Sequence, residues 1–468
     1  MEKNKRIKRV LFLIVAIYIL LLLFLAYYQV AKSTEIAGHS YNPRNWVDES
    51  KYQRGSIKDR NGKIIAQSKL DGEDNYYRSY EHGKLFSNIT GYFSLDYGKT
   101  GLEQTYNEEL LNLKKKTPID GIKNMVIKDT EGKNLVTTVD YDLQVKAQEL
   151  LKGHKGSIIV MNPRNGDIYA MYSSPGFDPN NVEENWDQLI NDPDSSLLNR
   201  CTQGLYTPGS VIKIITAVAI MESDVNLLYQ DNGSTTVDGY TINNFENLAH
   251  DEINMEWALV HSSNTYFVDK ALEVGSGKMD EVFRKFMFGQ QLYFDLPIEI
   301  STDPFEEGID RNALAAAAYG QGTTLVTPLQ MTLAISALAN DGDMVQPNIV
   351  YGIEDIENDT LENINDEIKV ISKVTTKEIA NKLCEYMGTV VENYDTATTY
   401  LTSSGGKTGT AETASGLDHA WYVGFAPLDN PKYAVSVILE DSGTLGGVAA
   451  APIGAKMLDE ATNLDISN

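Results

Sequence analysis

Hydrophobic and polar positions divide the chain into three regimes. Val10 to Ala31 is an unbroken uncharged run, VLFLIVAIYILLLLFLAYYQVA. It is long enough for the roughly 20-residue helix that spans a bilayer. Lys3, Lys5, Arg6, Lys8 and Arg9 precede it, against a lone Glu2. Basic flanks stay cytoplasmic, so the pattern predicts one transmembrane helix over 10–31, with 1–9 inside and the rest outside the cell membrane. A cleaved signal peptide is the alternative. Its apolar core is shorter, roughly 7–15 residues, and no clear A-x-A site follows here.

Residues 32–138 are polar and carry weak strand and turn signals. Arg54-Gly-Ser-Ile-Lys-Asp-Arg-Asn-Gly62 reads as a strand start followed by a turn at Asn61-Gly62. Over Thr137–Leu151 the pattern turns helical, with Asp140 as candidate N-cap. A domain boundary is expected just before that helix, leaving 139–468 as a second unit. Ser157–Met161 and Ile168–Tyr172 read as a hairpin. Ser210–Met221 and Pro328–Ala339 have helical periodicity. Trp421–Phe425 and Tyr433–Leu439 read as strands, and Ala450–Asn463 as a closing helix. Strands at both ends with helices between predict an α+β fold: one antiparallel sheet assembled from the two ends and covered by helices.

Composition narrows the function. The 468 residues are 42% hydrophobic and 22% charged, which excludes a disordered chain and a polytopic membrane protein. Two cysteines, Cys201 and Cys384, exclude a disulfide scaffold and a Cys-rich zinc module. The six histidines include no His-x-x-x-His pair, and no metal site is expected. A net charge of −25 repels nucleic acid. The acidic stretch Glu354–Glu367 lacks calcium-loop spacing and reads as a solvated loop or face.

Candidate chemistry begins at Ser210. It follows the turn signal Thr207-Pro208-Gly209 and opens the run SVIKIITAVAIME. A serine at a helix start is commonly a cap. Lys213, however, falls on the same face one turn on, in a helix apolar almost all round. A buried lysine tends to lose its proton. A neutral amine can then take the serine proton, and the helix N-terminus offers N–H donors to an oxyanion. Ser-x-x-Lys recurs at Ser404-Gly-Gly-Lys407, where the glycines argue against a helix. Ser262-Ser263-Asn264 lies between apolar segments; a hydroxyl and an amide there relay a proton and hold a carbonyl, or simply cap a helix. Lys407-Thr408-Gly409-Thr410 precedes two strands. Gly409 is expected to let another backbone approach, as when an edge strand pairs with an extended peptide. A second Lys-Thr-Gly, at Lys99-Thr100-Gly101, lies before Ser210 and lacks this setting.

Order and setting together carry a resemblance. Ser-x-x-Lys on a buried helix, then Ser-x-Asn, then Lys-Thr-Gly before a hairpin is the set found in penicillin-binding proteins and class A β-lactamases. The chain resembles a class B penicillin-binding protein, a monofunctional peptidoglycan D,D-transpeptidase. The likeness extends to Arg54-Gly-x-Ile-x-Asp-Arg-Asn-Gly62 and Gly101-Leu-Glu103 in the N-terminal part. It also includes Asp140-x-x-Leu-Gln144, Leu198-Asn-Arg200, Tyr319-Gly-Gln-Gly322, Val326-Thr-Pro-Leu-Gln330 and Ala420-Trp-Tyr-Val-Gly-Phe-Ala-Pro427. It implies a β-lactamase/transpeptidase-like domain over 139–468 on a small β-rich pedestal at 32–138. Ser210 would be acylated and Lys213 its base. Ser262 and Asn264 would shuttle the proton and bind the donor peptide. Lys407 and Thr408 would orient the substrate carboxylate, and Thr410 would add an oxyanion N–H beside that of Ser210. The implied substrates are peptidoglycan stem peptides of lipid-II-derived nascent glycan, the inhibitors β-lactams, and the cofactors none. No glycosyltransferase domain is seen, so a polytopic lipid-II polymerase of the shape, elongation, division and sporulation family is the implied partner.

Rival readings share the site. A class A β-lactamase needs a glutamate for the deacylating water, and no Glu-x-x-Leu-Asn lies between Asn264 and Lys407. A D,D-carboxypeptidase differs only in its acceptor, and a non-catalytic scaffold would not need three intact motifs. Cys201 is expected to be a buried small residue, and His261 structural. Of Trp421 and Tyr422, one is expected to face the core and the other to flank the substrate groove.

Overall fold

The structure is a computed structural model that describes residues 11–22, 24, 49–72, 75–112, 131–305, 308–355, 360–365, 367–393, 403–413 and 416–466. Residues 11–22 are helical. Apart from Phe24, the remainder of the expected 10–31 anchor and the 1–9 tail lie outside the described residues. Among the described residues no helix is long and apolar enough to cross a membrane.

The two ends of the second unit do build one sheet. Its five antiparallel strands run in the order Gly405–Ala411, His419–Ala426, Tyr433–Leu439, Gly156–Met161, Ile168–Ser174. Tyr433–Leu439 pairs with Gly156–Met161 from Ala434 opposite Met161 to Leu439 opposite Gly156, closing the sheet across the chain. Every residue of these two strands is buried, so helices cover both faces. Tyr141–Leu150 packs with Gly446–Leu464, and Pro328–Ala339 with Lys377–Glu392.

Local chemistry sets the helix ends. Asp140 accepts from the N–H groups of Asp142 and Leu143 and starts the first helix as expected. Thr327 caps Pro328–Ala339, with proline in the first turn, and all twelve residues of that helix are buried. The closing helix begins at Gly446, ahead of the expected Ala450. Glycine is a poor helix former, but a Cβ at Gly446 would lie 2.1 Å from the Gly409 carbonyl oxygen. Tight docking on the Lys-Thr-Gly strand overrides propensity there.

The N-terminal part forms a second sheet that reaches beyond residue 138. Its strand order is Thr360–Asn363, Val350–Asp355, Asn134–Thr137, Ile57–Lys58, Ile64–Asp71, Asn75–Tyr80. Of the solvated loop or face expected of the acidic stretch, the structure gives a largely solvated face: Glu354 and Asp355 pair antiparallel with Leu361 and Thr360, and Thr360–Glu362 are exposed. Glu354 pairs with Lys58 at 2.5 Å and accepts from Asn134 Nδ2 at 2.6 Å. So polar a segment carries no strand alternation, and its partner strand lies far away in sequence. Beneath this sheet Glu103 is fully buried between two guanidiniums. Arg54 Nη2 donates to its Oε2 at 2.8 Å and Arg78 Nε to its Oε1 at 2.6 Å.

Candidate active site

The serine segment is a short 3₁₀ turn, Gly209–Ile212, running into the α-helix Lys213–Met221. The expected helix is thus split at the lysine. Gly209 has φ +54°, and a Cβ there would lie 2.5 Å from the Thr410 carbonyl oxygen. A Cβ at Gly409 would lie 2.9 Å from the Pro208 carbonyl oxygen and 3.0 Å from Val211 Cγ1. Gly409 lets another backbone approach, as expected, and the backbone that approaches is that of the serine turn. That strand is still at the edge of the sheet, with one side outside the ladder. Trp421 Nε1 donates to the Thr207 carbonyl at 3.0 Å. Ser210 is half-buried, whereas Lys213 to Ile220 are buried throughout.

The Ser262–Asn264 loop divides the cap and chemical roles between its residues. The helix Met255–Val260 ends in a Schellman-type turn: Ser263 N–H donates to the Ala258 carbonyl at 3.0 Å and Ser262 N–H to the Leu259 carbonyl at 3.2 Å. Ser262 holds the left-handed position of that turn, φ +51°, where glycine is the default. A serine there carries a strain cost of order 1 kcal/mol. Its hydroxyl is the part a glycine would lack. Ser263 is the N-cap of Asn264–Val274, accepting from Tyr266 N–H.

Two buried lysines converge on Ser262. Lys213 Nζ donates to the Ser262 carbonyl at 2.7 Å and to Asn264 Oδ1 at 2.7 Å, and lies 3.2 Å from Ser262 Oγ. Lys407 Nζ lies 3.0 Å from Ser262 Oγ and 3.1 Å from the Thr408 carbonyl. Both lysines are fully buried. Burial pushes the Lys213 ammonium well below the usual lysine range; Lys407 pushes the same way and Asp231 opposes. Burial brings Lys407 down to about 7. A neutral Lys213 satisfies both carbonyl oxygens with its two N–H bonds and keeps a lone pair, which is what a base needs.

The remaining candidates sort as follows. The Lys407 amine, from which carboxylate orientation is expected, faces Ser262 Oγ. Thr408 is buried, Thr410 is half-buried, and Thr410 Oγ1 accepts the Gly446 N–H at 3.1 Å. Ser404 lies beside its strand and shares no helix with Lys407. Trp421 and Tyr422 are both fully buried, so neither flanks a groove; helices cover both faces of their strand. His261 stacks on His250 at 4.1 Å. Cys201 is fully buried, and burial pushes its thiol up.

Asp231 and Asn244 escaped the sequence reading. Asp231 accepts from Ser263 Oγ at 2.7 Å, Thr265 Oγ1 at 3.0 Å and Asn244 Nδ2 at 2.8 Å. Asp231-Asn232-Gly233 is a turn signal, but nothing in its spacing points to Ser263.

The penicillin binding protein transpeptidase domain family matches residues 156–459, and the penicillin binding protein A dimerisation domain family matches 54–135. The chain belongs to the class B penicillin-binding proteins. The peptidoglycan D,D-transpeptidase PbpA of Mycolicibacterium smegmatis is 28% identical over 94% of this chain and 96% of its own length. MrdA of Acinetobacter baumannii, another peptidoglycan D,D-transpeptidase, is 31% identical over 80% of this chain and 64% of its own. Among solved structures, the ceftriaxone acyl-enzyme of penicillin-binding protein A from M. tuberculosis has a TM-score of 0.82 at 26% identity, covering 88% of this chain and 99% of that one. This penicillin-binding protein is a serine-type peptidoglycan D,D-transpeptidase.

Proposed function

We propose that Ser210 is the acylated nucleophile of this D,D-transpeptidase and Lys213 its general base. The observation that supports this best is the buried Lys213 amine, one turn from Ser210 and anchored at 2.7 Å on both Ser262 O and Asn264 Oδ1. Ser210 Oγ attacks the carbonyl carbon of the penultimate D-alanine of a stem peptide, and its proton passes to Lys213. The oxyanion is received by the backbone N–H groups of Ser210 and Thr410. The C–N bond then breaks. The departing D-alanine nitrogen takes the proton back through Ser262, whose hydroxyl lies between the two lysines. An amine of a neighbouring stem attacks the acyl-enzyme, loses a proton to the same relay and leaves a new amide cross-link with Ser210 restored. A β-lactam follows the first half, its ring amide opening onto Ser210.

The donor peptide adds along the sheet-edge side of Gly405–Ala411, with Asn264 and Thr408 within reach of its polar groups. Residues 10–31 anchor the chain with 1–9 cytoplasmic. The pedestal, 32–138, carries the 139–468 unit outside the membrane, where a lipid-II polymerase supplies the glycan. The test is intact-mass analysis of the full chain with benzylpenicillin, beside Ser210→Ala. A stable adduct absent from the variant is expected. An adduct on both proteins would overturn Ser210 as nucleophile, and one that vanishes within seconds would make the chain a hydrolase.

A further inference from the structure

We infer that Asp231 is a positioning residue for acylation: its buried carboxylate pins the Ser262–Asn264 loop from behind and holds the relay hydroxyl and amide against Lys213. This rests on the reading of Ser262 and Asn264 as relay and anchor.

Asp231 closes the strand Tyr229–Asp231 and is fully buried. An isolated buried carboxylate is costly and is kept only when its lone pairs are satisfied. Here both oxygens are. Oδ1 accepts from Gly233 N–H at 2.9 Å, Asn244 Nδ2 at 2.8 Å and Thr265 Oγ1 at 3.0 Å. Oδ2 accepts from Ser263 Oγ at 2.7 Å and Asn244 Nδ2 at 2.9 Å. Two of these donors, Ser263 and Thr265, flank Asn264 in sequence, and Ser263 adjoins Ser262. Asn244 extends the grip: its Oδ1 accepts the Thr265 N–H at 3.1 Å, while the neighbouring Asn243 carbonyl accepts Asn264 Nδ2 at 2.8 Å.

The loop needs such a grip. Ser262 sits in a left-handed conformation that its own side chain disfavours. Neither Lys213 nor Lys407 reaches Ser263 or Thr265, so the lysines hold one side of the loop and Asp231 the other. Ser263 links the two roles, since one hydroxyl donates to Asp231 and accepts the Tyr266 N–H at 3.1 Å. Asparagine at 231 leaves four donor groups, Gly233 N–H, Asn244 Nδ2, Ser263 Oγ and Thr265 Oγ1, competing for one carbonyl oxygen. The loop then relaxes, and the Lys213 amine loses its fixed partners. The chemistry at Ser210 slows although residue 231 touches no substrate.

The test is single-turnover acylation of the full chain by a saturating fluorescent penicillin, comparing wild type, Asp231→Asn, Thr265→Val and Ser262→Ala. Amplitude reports the folded fraction and the exponential rate constant reports positioning. A purely structural role moves only the amplitude. Asp231→Asn is expected to keep most of the amplitude and lower the rate constant about 10- to 100-fold, as sub-ångström misplacement does. A rate constant within twofold of wild type would overturn the inference. If Asp231→Asn gives no amplitude, Thr265→Val decides: it removes a single donor, and a rate constant at least about threefold lower supports the inference, whereas an unchanged one sinks it. Ser262→Ala keeps the two readings apart. If it slows acylation and Asp231→Asn does not, only the positioning inference fails; if it leaves acylation unchanged, the relay reading itself falls.

Discussion

Two clusters of buried charge, one in each half of the molecule, handle the same physical problem in opposite ways. In the N-terminal part, Arg54 and Arg78 close on a fully buried Glu103 with ion pairs of 2.8 and 2.6 Å. Burial alone would raise the Glu103 pKa; the two guanidiniums outweigh it and hold the carboxyl below its usual value. In the candidate active site, Lys213 and Lys407 are equally buried, face each other across Ser262 and form no ion pair with a described carboxylate. Both titrate far below an ordinary lysine. Pairing locks protonation and makes a joint. Leaving like charges unpaired makes an amine that gives up its proton.

The sharpest way to break this contrast is Lys213→Met. Loss of the base is expected to slow acylation about 10²–10⁴-fold. The melting temperature should hold or rise, because an apolar side chain of similar volume replaces a desolvated amine. A large fall in melting temperature would mean that Lys213 is a structural ion after all. Glu103→Gln should do the reverse. Buried Arg78 loses its carboxylate partner and Arg54 keeps only Glu49, at a cost of about 3–5 kcal/mol read from denaturant unfolding. The acylation rate constant of the protein that remains folded should stay within about twofold of wild type.

The smallest expected effect is a shift along the pH axis. Acylation should rise with pH and reach its plateau well below 10.5, the ordinary lysine value. Lys407→Met removes the positive neighbour that disfavours charged Lys213, so the Lys213 pKa rises and the acid limb moves toward alkaline pH. An unmoved limb would separate the two lysines electrostatically. Stability follows the same sign. Lys407 titrates at about 7 in the fold and at about 10.4 unfolded, so the unfolded chain binds more protons between those values. Its stability penalty is therefore full below pH 7 and fades as pH rises through that window. The Glu103 contribution runs the other way: it is present above the unfolded carboxylate pKa and lost as pH falls through its lowered folded value.

Much of the sheet was legible because its strands are short, apolar and bounded by turn residues. Tyr433–Leu439 and Pro328–Ala339 fall where periodicity puts them. The pairing of Val350–Asp355 with Thr360–Asn363 was not legible, because Glu354 and its neighbours are solvated and their partners Lys58 and Asn134 come from the N-terminal part. In the site, Ser210, Lys213, Ser262, Asn264 and Lys407 carried a signal in their spacing. Asp231 carried none, since the partners that tie it to the site, Ser263 and Thr265, lie more than thirty positions away. Gly409 signals close approach of another backbone, and only the structure shows that the serine turn supplies it. A glycine signals close approach, not what approaches.

The sequence by itself determined which groups are present and in what order: an apolar helix with a lysine one turn past a serine, a Ser-Ser-Asn loop, and a Lys-Thr-Gly strand. Helical spacing and hydrophobicity suffice for that, because both act over a few residues. Only the tertiary structure decided that two lysines meet at one serine hydroxyl, that Ser262 is held in a left-handed turn, and that Asp231 fastens the loop behind it. Those outcomes depend on desolvation and on contacts between distant segments. Both are properties of the packed interior and have no value along an unfolded chain.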